Sequence, residues 1–192
     1  GFFSAGTPAT VQYESTPALQ AEFARLSGTL DIPAVQAACA DAEVIVACVG
    51  DCLAQNGEGR DRADLNLSGD QLALLQICKA LGKPLVVVLA TAKPLTTPWI
   101  KWNADAVVQA FSGGQTLGDA LARLLTGELK PSGKLPISFA HTTGQLPVYH
   151  NSLPGWHDGR YMDTPAEPLY PFGFGLSYTR FRYGAPLFME TD

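Results

Sequence analysis

Basic charge, histidine and long apolar runs are all scarce in this sequence. Thirteen Lys and Arg stand against 18 Asp and Glu, and the resulting net charge of −5 is a poor match to phosphate backbones or anionic membranes. Neither a nucleic acid nor a membrane is an expected partner. No apolar stretch approaches the ~20 residues of a spanning helix, and Gly1-Phe2-Phe3-Ser4 lacks a basic leader region and reads as an internal start or a processed end; the compartment stays open, with the cytoplasm slightly favoured over secretion. The three histidines, His141, His150 and His157, have no i,i+4 pairing. Cys48 and Cys52 are separated by three residues rather than the two of a zinc or dithiol motif, with no histidine beside them. No metal and no cofactor is therefore expected, and Cys39, Cys48, Cys52 and Cys78 read as small apolar residues. Gly175-Leu176-Ser177-Tyr178-Thr179 has no glycine to complete a nucleophile elbow. Gly127 to Lys134 has the wrong spacing for a phosphate-binding Walker loop and follows a helix instead of a strand.

What is present is an ordinary globular composition: 192 residues, 46% hydrophobic and 9% aromatic. At that length roughly 70% of the unfolded chain's surface is buried, so a core forms without disulfides. Glu43 to Val49, Pro84 to Ala90 and Ala104 to Phe111 read as apolar strands, with Leu135 to Phe139 as a shorter one and Val11-Gln12-Tyr13 as a first. Helices are expected over Pro33 to Ala42, near a cap at Asp31, over Gln71 to Leu81, and over Gly114 to Leu125. Strands apolar on both faces, separated by helices, imply a doubly wound, mostly parallel α/β sheet sandwiched between helices. This domain is expected over residues 1–140. From His141 onward Pro147, Pro154, Pro165, Pro168 and Pro171 exclude a long helix. Residues 141–192 are therefore expected to form an irregular, aromatic-rich arm packed through Trp156, Tyr161, Tyr170, Phe172 and Phe174. Phe181-Arg182-Tyr183 alternates like the first strand of a following β domain.

In open α/β sheets ligands sit at the carboxyl ends of the strands, which directs attention to the loops after Val49, Ala90 and Phe111. The first runs from Gly50 to Gly69, long for a βα connection and dense in carboxylates, guanidinium groups and glycines. Glu58, flanked by Gly57 and Gly59, is able to approach a ligand closely, and Arg60, Asp61 and Arg62 are able to order the loop by ion pairs. The same charges equally suit a solvated surface loop. Ser112-Gly113-Gly114-Gln115-Thr116 opens a helix as an anion-binding turn would, but lacks the full G-x-G-x-x-G spacing and reads as well as a tight turn. Asn66-Leu67-Ser68 is a glycosylation sequon that matters only in a secreted protein.

Five segments together resemble the second domain of glycoside hydrolase family 3 enzymes, the β-glucosidases, β-xylosidases and their relatives. They are Gly57-Glu58-Gly59-Arg60-Asp61-Arg62, Asp64-Leu65-Asn66-Leu67-Ser68-Gly69-Asp70-Gln71, Ala104 to Phe111, Gly127-Glu128-Leu129-Lys130-Pro131-Ser132-Gly133-Lys134-Leu135-Pro136, and Tyr170-Pro171-Phe172-Gly173-Phe174-Gly175-Leu176-Ser177-Tyr178. The resemblance implies a six-stranded α/β sandwich packed on a (β/α)8-type barrel, with the active site between them. It further implies hydrolysis of terminal β-linked sugars with retention, the nucleophile being an Asp of the barrel and the acid/base a carboxyl of the sandwich loop. Glu58 best matches that carboxyl, with Asp51, Asp61 and Asp64 as lesser candidates, and Arg60, Asp61 and Arg62 as substrate-binding or loop-ordering residues. β-Glucosides, the barrel and a second copy of the chain are the expected partners. The barrel and its nucleophile motif are absent from these residues, so at most half of a catalytic pair is here and the chain alone is expected to be inactive. The competing reading is a non-catalytic carbohydrate-binding or assembly module, and a third is a phosphate- or nucleotide-binding domain resting on Ser112 to Thr116.

Overall fold

The computed structural model describes residues 30–152 and 161–188. The first helix, α1 (Ile32–Cys39), starts where Asp31 Oδ1 accepts a hydrogen bond from Ala34 N at 3.0 Å and Pro33 presets the first turn. The chain continues through β1 (Ile45–Gly50), α2 (Gln71–Ala80), β2 (Leu85–Ala90), α3 (Pro98–Asn103), β3 (Ala106–Gln109) and α4 (Leu117–Leu125). The strands form one parallel sheet in the order β1-β2-β3, with Ile45 opposite Leu85 and Val86 opposite Ala106. The expected α/β class with parallel strands is what the structure has.

Strand alternation sets the core. Ile45, Ala47 and Val49 of β1 and Leu85, Val87 and Leu89 of β2 point to one face and bury against Leu75 and Cys78 of α2 and Ile100 of α3, with Val35 and Cys39 of α1 packed alongside. On the opposite face Val88 is buried, but Val46 is 45% exposed and Cys48 is exposed too. The expectation that β1 is apolar because both faces are covered is corrected: it is buried on one face only, and Cys48 is not the interior residue its type suggested.

Three strands, not six, lie among the described residues. Leu135 to Phe139 makes no ladder: Phe139 forms a single antiparallel bridge to Tyr170, and Pro136 has no N–H to extend it. β3 stops at Gln109 because Phe111 turns to a left-handed φ of 53°. The helix expected from Gly114 begins instead with a 3-10 turn at Gly114–Thr116. Phe181-Arg182-Tyr183 forms no strand, and Phe181 and Tyr183 are exposed. Val11-Gln12-Tyr13, Trp156 and His157 lie outside the described residues.

The segment after His141 returns to the core at several points. Leu135 N donates to Phe174 O at 2.8 Å and Gly173 N to Leu135 O at 2.8 Å. Lys101 of α3 donates to Leu169 O at 2.6 Å and lies 5.0 Å from the Tyr170 ring. Buried Gln145 donates to Pro165 O at 3.0 Å. Phe139 meets Phe111 and Tyr170 edge-on, at 6.4 and 6.2 Å between ring centroids.

Candidate active site

The connection from β1 to α2 occupies residues 51–70 and lies at the carboxyl end of the sheet. Its two ends are clasped by one side chain. Gln71, the first residue of α2, accepts from Gly50 N at 2.7 Å and donates to Gly50 O at 2.8 Å, closing the base of the loop. Inside it, Gln55 is wholly buried: its Oε1 accepts from Cys52 N at 3.1 Å and its Nε2 donates to Ser68 Oγ at 2.8 Å. A buried amide that uses both ends in this way fixes the 3-10 turn Leu53–Gln55 against the far arm of the loop.

Glu58 stands on the turn that follows. Gly57, with φ of 128°, and Gly59, with φ of 69°, take backbone conformations that side chains disfavour, and Arg60 N closes the turn on Gly57 O at 3.3 Å. The carboxyl-bearing residue is exposed. Arg60 reaches back to Ala54 O at 2.9 Å, and Arg62 donates to Asn66 O at 2.7 Å. Burial pulls the Arg62 guanidinium below its ordinary pKa, while the negative charges of Asp64 and Asp51 act in the opposite direction.

The other carboxylates are differently placed. Both oxygens of Asp51 face Ala92 N, at 3.1 and 3.2 Å, joining the exit of β1 to that of β2. Asp64 Oδ1 accepts from Asn66 N at 2.9 Å in a local turn. Asp61 is exposed beside Glu58's turn. Ser68 of the sequon is buried against Gln55, and Asn66 Oδ1 accepts from Thr96 Oγ1 at 2.7 Å.

The loop is braced from outside as well. Lys93, in the connection after β2, donates to Gln55 O at 2.7 Å and Asn56 Oδ1 at 2.8 Å. Thr96 N donates to Leu65 O at 2.9 Å, and Thr143 Oγ1 accepts from Leu65 N at 3.2 Å. The structure thus brings Glu58, Arg60, Asp61 and Arg62 into one loop with Asp51 at its base, and leaves Ser112 to Thr116 in a separate turn. The bracing roles of Gln55 and Lys93, and the clasp that Gln71 makes at the start of its helix, are not predicted by the sequence. Lys93 had a partial signal, since it falls in the second of the three loops where chemistry was sought; a buried loop glutamine has none.

Residues 1–178 match the Glycosyl hydrolase family 3 C-terminal domain. The chain belongs to glycoside hydrolase family 3. It is 40% identical over 163 residues to a beta-xylosidase of Formosa agariphila, covering 83% of this chain and 22% of that protein. A periplasmic beta-glucosidase of Salmonella typhimurium is 42% identical over 158 residues, 77% of this chain and 20% of the relative. The crystal structure of a beta-glucosidase from Listeria innocua in complex with glucose superposes with a TM-score of 0.77 at 35% identity, over 82% of this chain and 24% of that one. The family 3 chain therefore spans about a fifth to a quarter of the length of these relatives.

Proposed function

We propose that this chain is the sandwich domain of a retaining β-glycosidase and supplies its general acid/base, Glu58. Terminal β-glucosides are the first substrates to test and β-xylosides the next, in line with the names of its relatives. The nucleophile belongs to a barrel domain outside these residues. On this reading residues 1–140 form the sandwich, whose sheet reaches six strands in the whole domain, and the arm of residues 141–192 leads onward to a following β domain.

The observation that carries the proposal is the turn at Glu58: a carboxyl between two glycines, exposed at the carboxyl ends of parallel strands, on a loop braced at both sides. Retention needs two carboxyls roughly 5–5.5 Å apart, one attacking the anomeric carbon and the other protonating the leaving oxygen and then activating water. An exposed carboxyl on a fixed turn suits the second task. Asp51 and Asp64 are less free for it because backbone N–H groups already hold them. Asp61 is the remaining alternative, and Arg60 and Arg62 order the loop.

The test is leaving-group dependence in the full-length enzyme. Glu58→Ala is expected to slow alkyl β-glucosides about 10²–10⁴-fold more than dinitrophenyl glucoside, whose leaving group departs without a proton. Equal losses on both, with Asp61→Ala showing the selective pattern, would move the assignment to Asp61.

A further inference from the structure

The residue that grips the Glu58 loop most directly comes from another connection. Lys93 Nζ bonds the carbonyl of Gln55 at 2.7 Å and the side-chain oxygen of Asn56 at 2.8 Å, the two residues immediately before Gly57. Asn56 passes the restraint on, since its Nδ2 donates to Cys52 O at 2.9 Å. Gln55 passes it to Ser68 across the loop at 2.8 Å. Beyond these residues the backbone runs into Gly57 and Gly59, both at positive φ, and the turn closes on itself through Arg60 N to Gly57 O at 3.3 Å, so the segment before Gly57 helps set where Glu58 stands. Arg60, bonded to Ala54 O, is the matching brace on the other side.

The geometry points to Lys93 as a positioning residue for the acid/base carboxyl: by holding Gln55 and Asn56 it fixes the turn that presents Glu58, and so acts on proton transfer to the leaving group. This rests on Glu58 being the general acid/base. An ammonium taken out of water is costly unless its protons are used, and here two of its three donors are committed to loop oxygens. Such charge-assisted bonds are roughly twice as strong as neutral ones. Burial pulls the Lys93 pKa below 10.5 while Asp51 opposes that, as expected of a cation kept in a partly enclosed site for its bonds rather than for solubility. Misplacing a reacting group by about 1 Å costs on the order of 10²-fold, so the loss of this grip is read in kinetics.

The decisive experiment compares kcat/KM for methyl and 2,4-dinitrophenyl β-glucosides in full-length enzyme carrying Lys93→Met, Lys93→Arg or Glu58→Ala. Lys93→Met keeps the aliphatic stem and removes the donors. It is expected to lose about tenfold or more on the methyl glucoside and less than about twofold on the dinitrophenyl one, with Lys93→Arg recovering most of the loss. Should Lys93→Met fail to fold, Asn56→Ala, which removes one acceptor of the lysine, is expected to show the same selectivity. Equal losses on both substrates, or an unchanged ratio, while Glu58→Ala remains selective, would overturn the role of Lys93 and leave Glu58 standing. Absence of selectivity in Glu58→Ala would remove both.

Discussion

Asp105 serves two partners through one oxygen. Its Oδ2 accepts from Leu85 N at 2.8 Å and from Lys79 Nζ at 2.9 Å, tying the start of β2 to the start of β3 and to the last turn of α2. The Leu85 N–H first, and Lys79 second, hold its carboxyl below the ordinary 3.8. Because the folded pKa is depressed, the stabilisation is complete above 3.8 and is lost as pH falls from there through the lower folded value. The Asp105→Asn variant is therefore expected to melt below wild type at neutral pH and to converge on it in acid. A gap in Tm that stays constant between pH 6 and pH 2 would contradict this. Glu58 and Asp105 also differ in how visibly the sequence marks them. Two flanking glycines advertise Glu58, whereas the tie of Asp105 to Leu85 depends on strand register, which no local pattern encodes.

The first two strands approach so closely that one position excludes any side chain. A Cβ added at Gly50 would lie 1.9 Å from Ala90 O, a backbone atom with no flexible end to move aside. Gly50→Ala is expected to destabilise by about 1–3 kcal/mol, as overpacking does. At roughly 2–4 °C per kcal/mol for a chain of this size, a thermal melt resolves that loss, and an unchanged Tm would show that the strands separate freely. This part of the fold was legible because Val44 to Val49 and Leu85 to Ala90 are continuous apolar runs, and because Asp31 and Pro33 announce a helix start. Other elements were not. α3 has six residues, too few for a period that is read over about 11–18, even though Trp99 and Trp102 stand three apart. Leu135 to Phe139 has strand composition, but Pro136 and the single bridge at Phe139 show that composition does not supply a partner. In the site, the charged loop was found from its length and glycines, while the neutral amides that brace it became visible only once distant segments were folded together.

At the scale of the molecule, apolar surface is left open. Val44, just before β1, and Val46, on the face of β1 opposite the core, are 47% and 45% exposed, and Phe181, Tyr183, Leu187 and Phe188 are 77–94% exposed. Open surface of this kind, on a chain about a fifth to a quarter the length of its relatives, fits a domain that works packed against others. The isolated chain is expected to release no phenol from aryl β-glucosides, because a proton donor without its nucleophile forms no glycosyl-enzyme intermediate. Turnover that survives repurification and disappears with Glu58→Ala would contradict that division of labour. The most direct test of the central claim adds azide to the full-length Glu58→Ala enzyme. On the proposed assignment, removing Glu58 leaves water without a base to activate it, so the intermediate accumulates, and the small anion attacks it unaided. Faster turnover of dinitrophenyl β-glucoside, with β-glucosyl azide as the product, is the predicted result. No rescue in Glu58→Ala, together with rescue and glycosyl azide in Asp61→Ala or Asp51→Ala, would contradict the account and return Glu58 to the role of a loop residue.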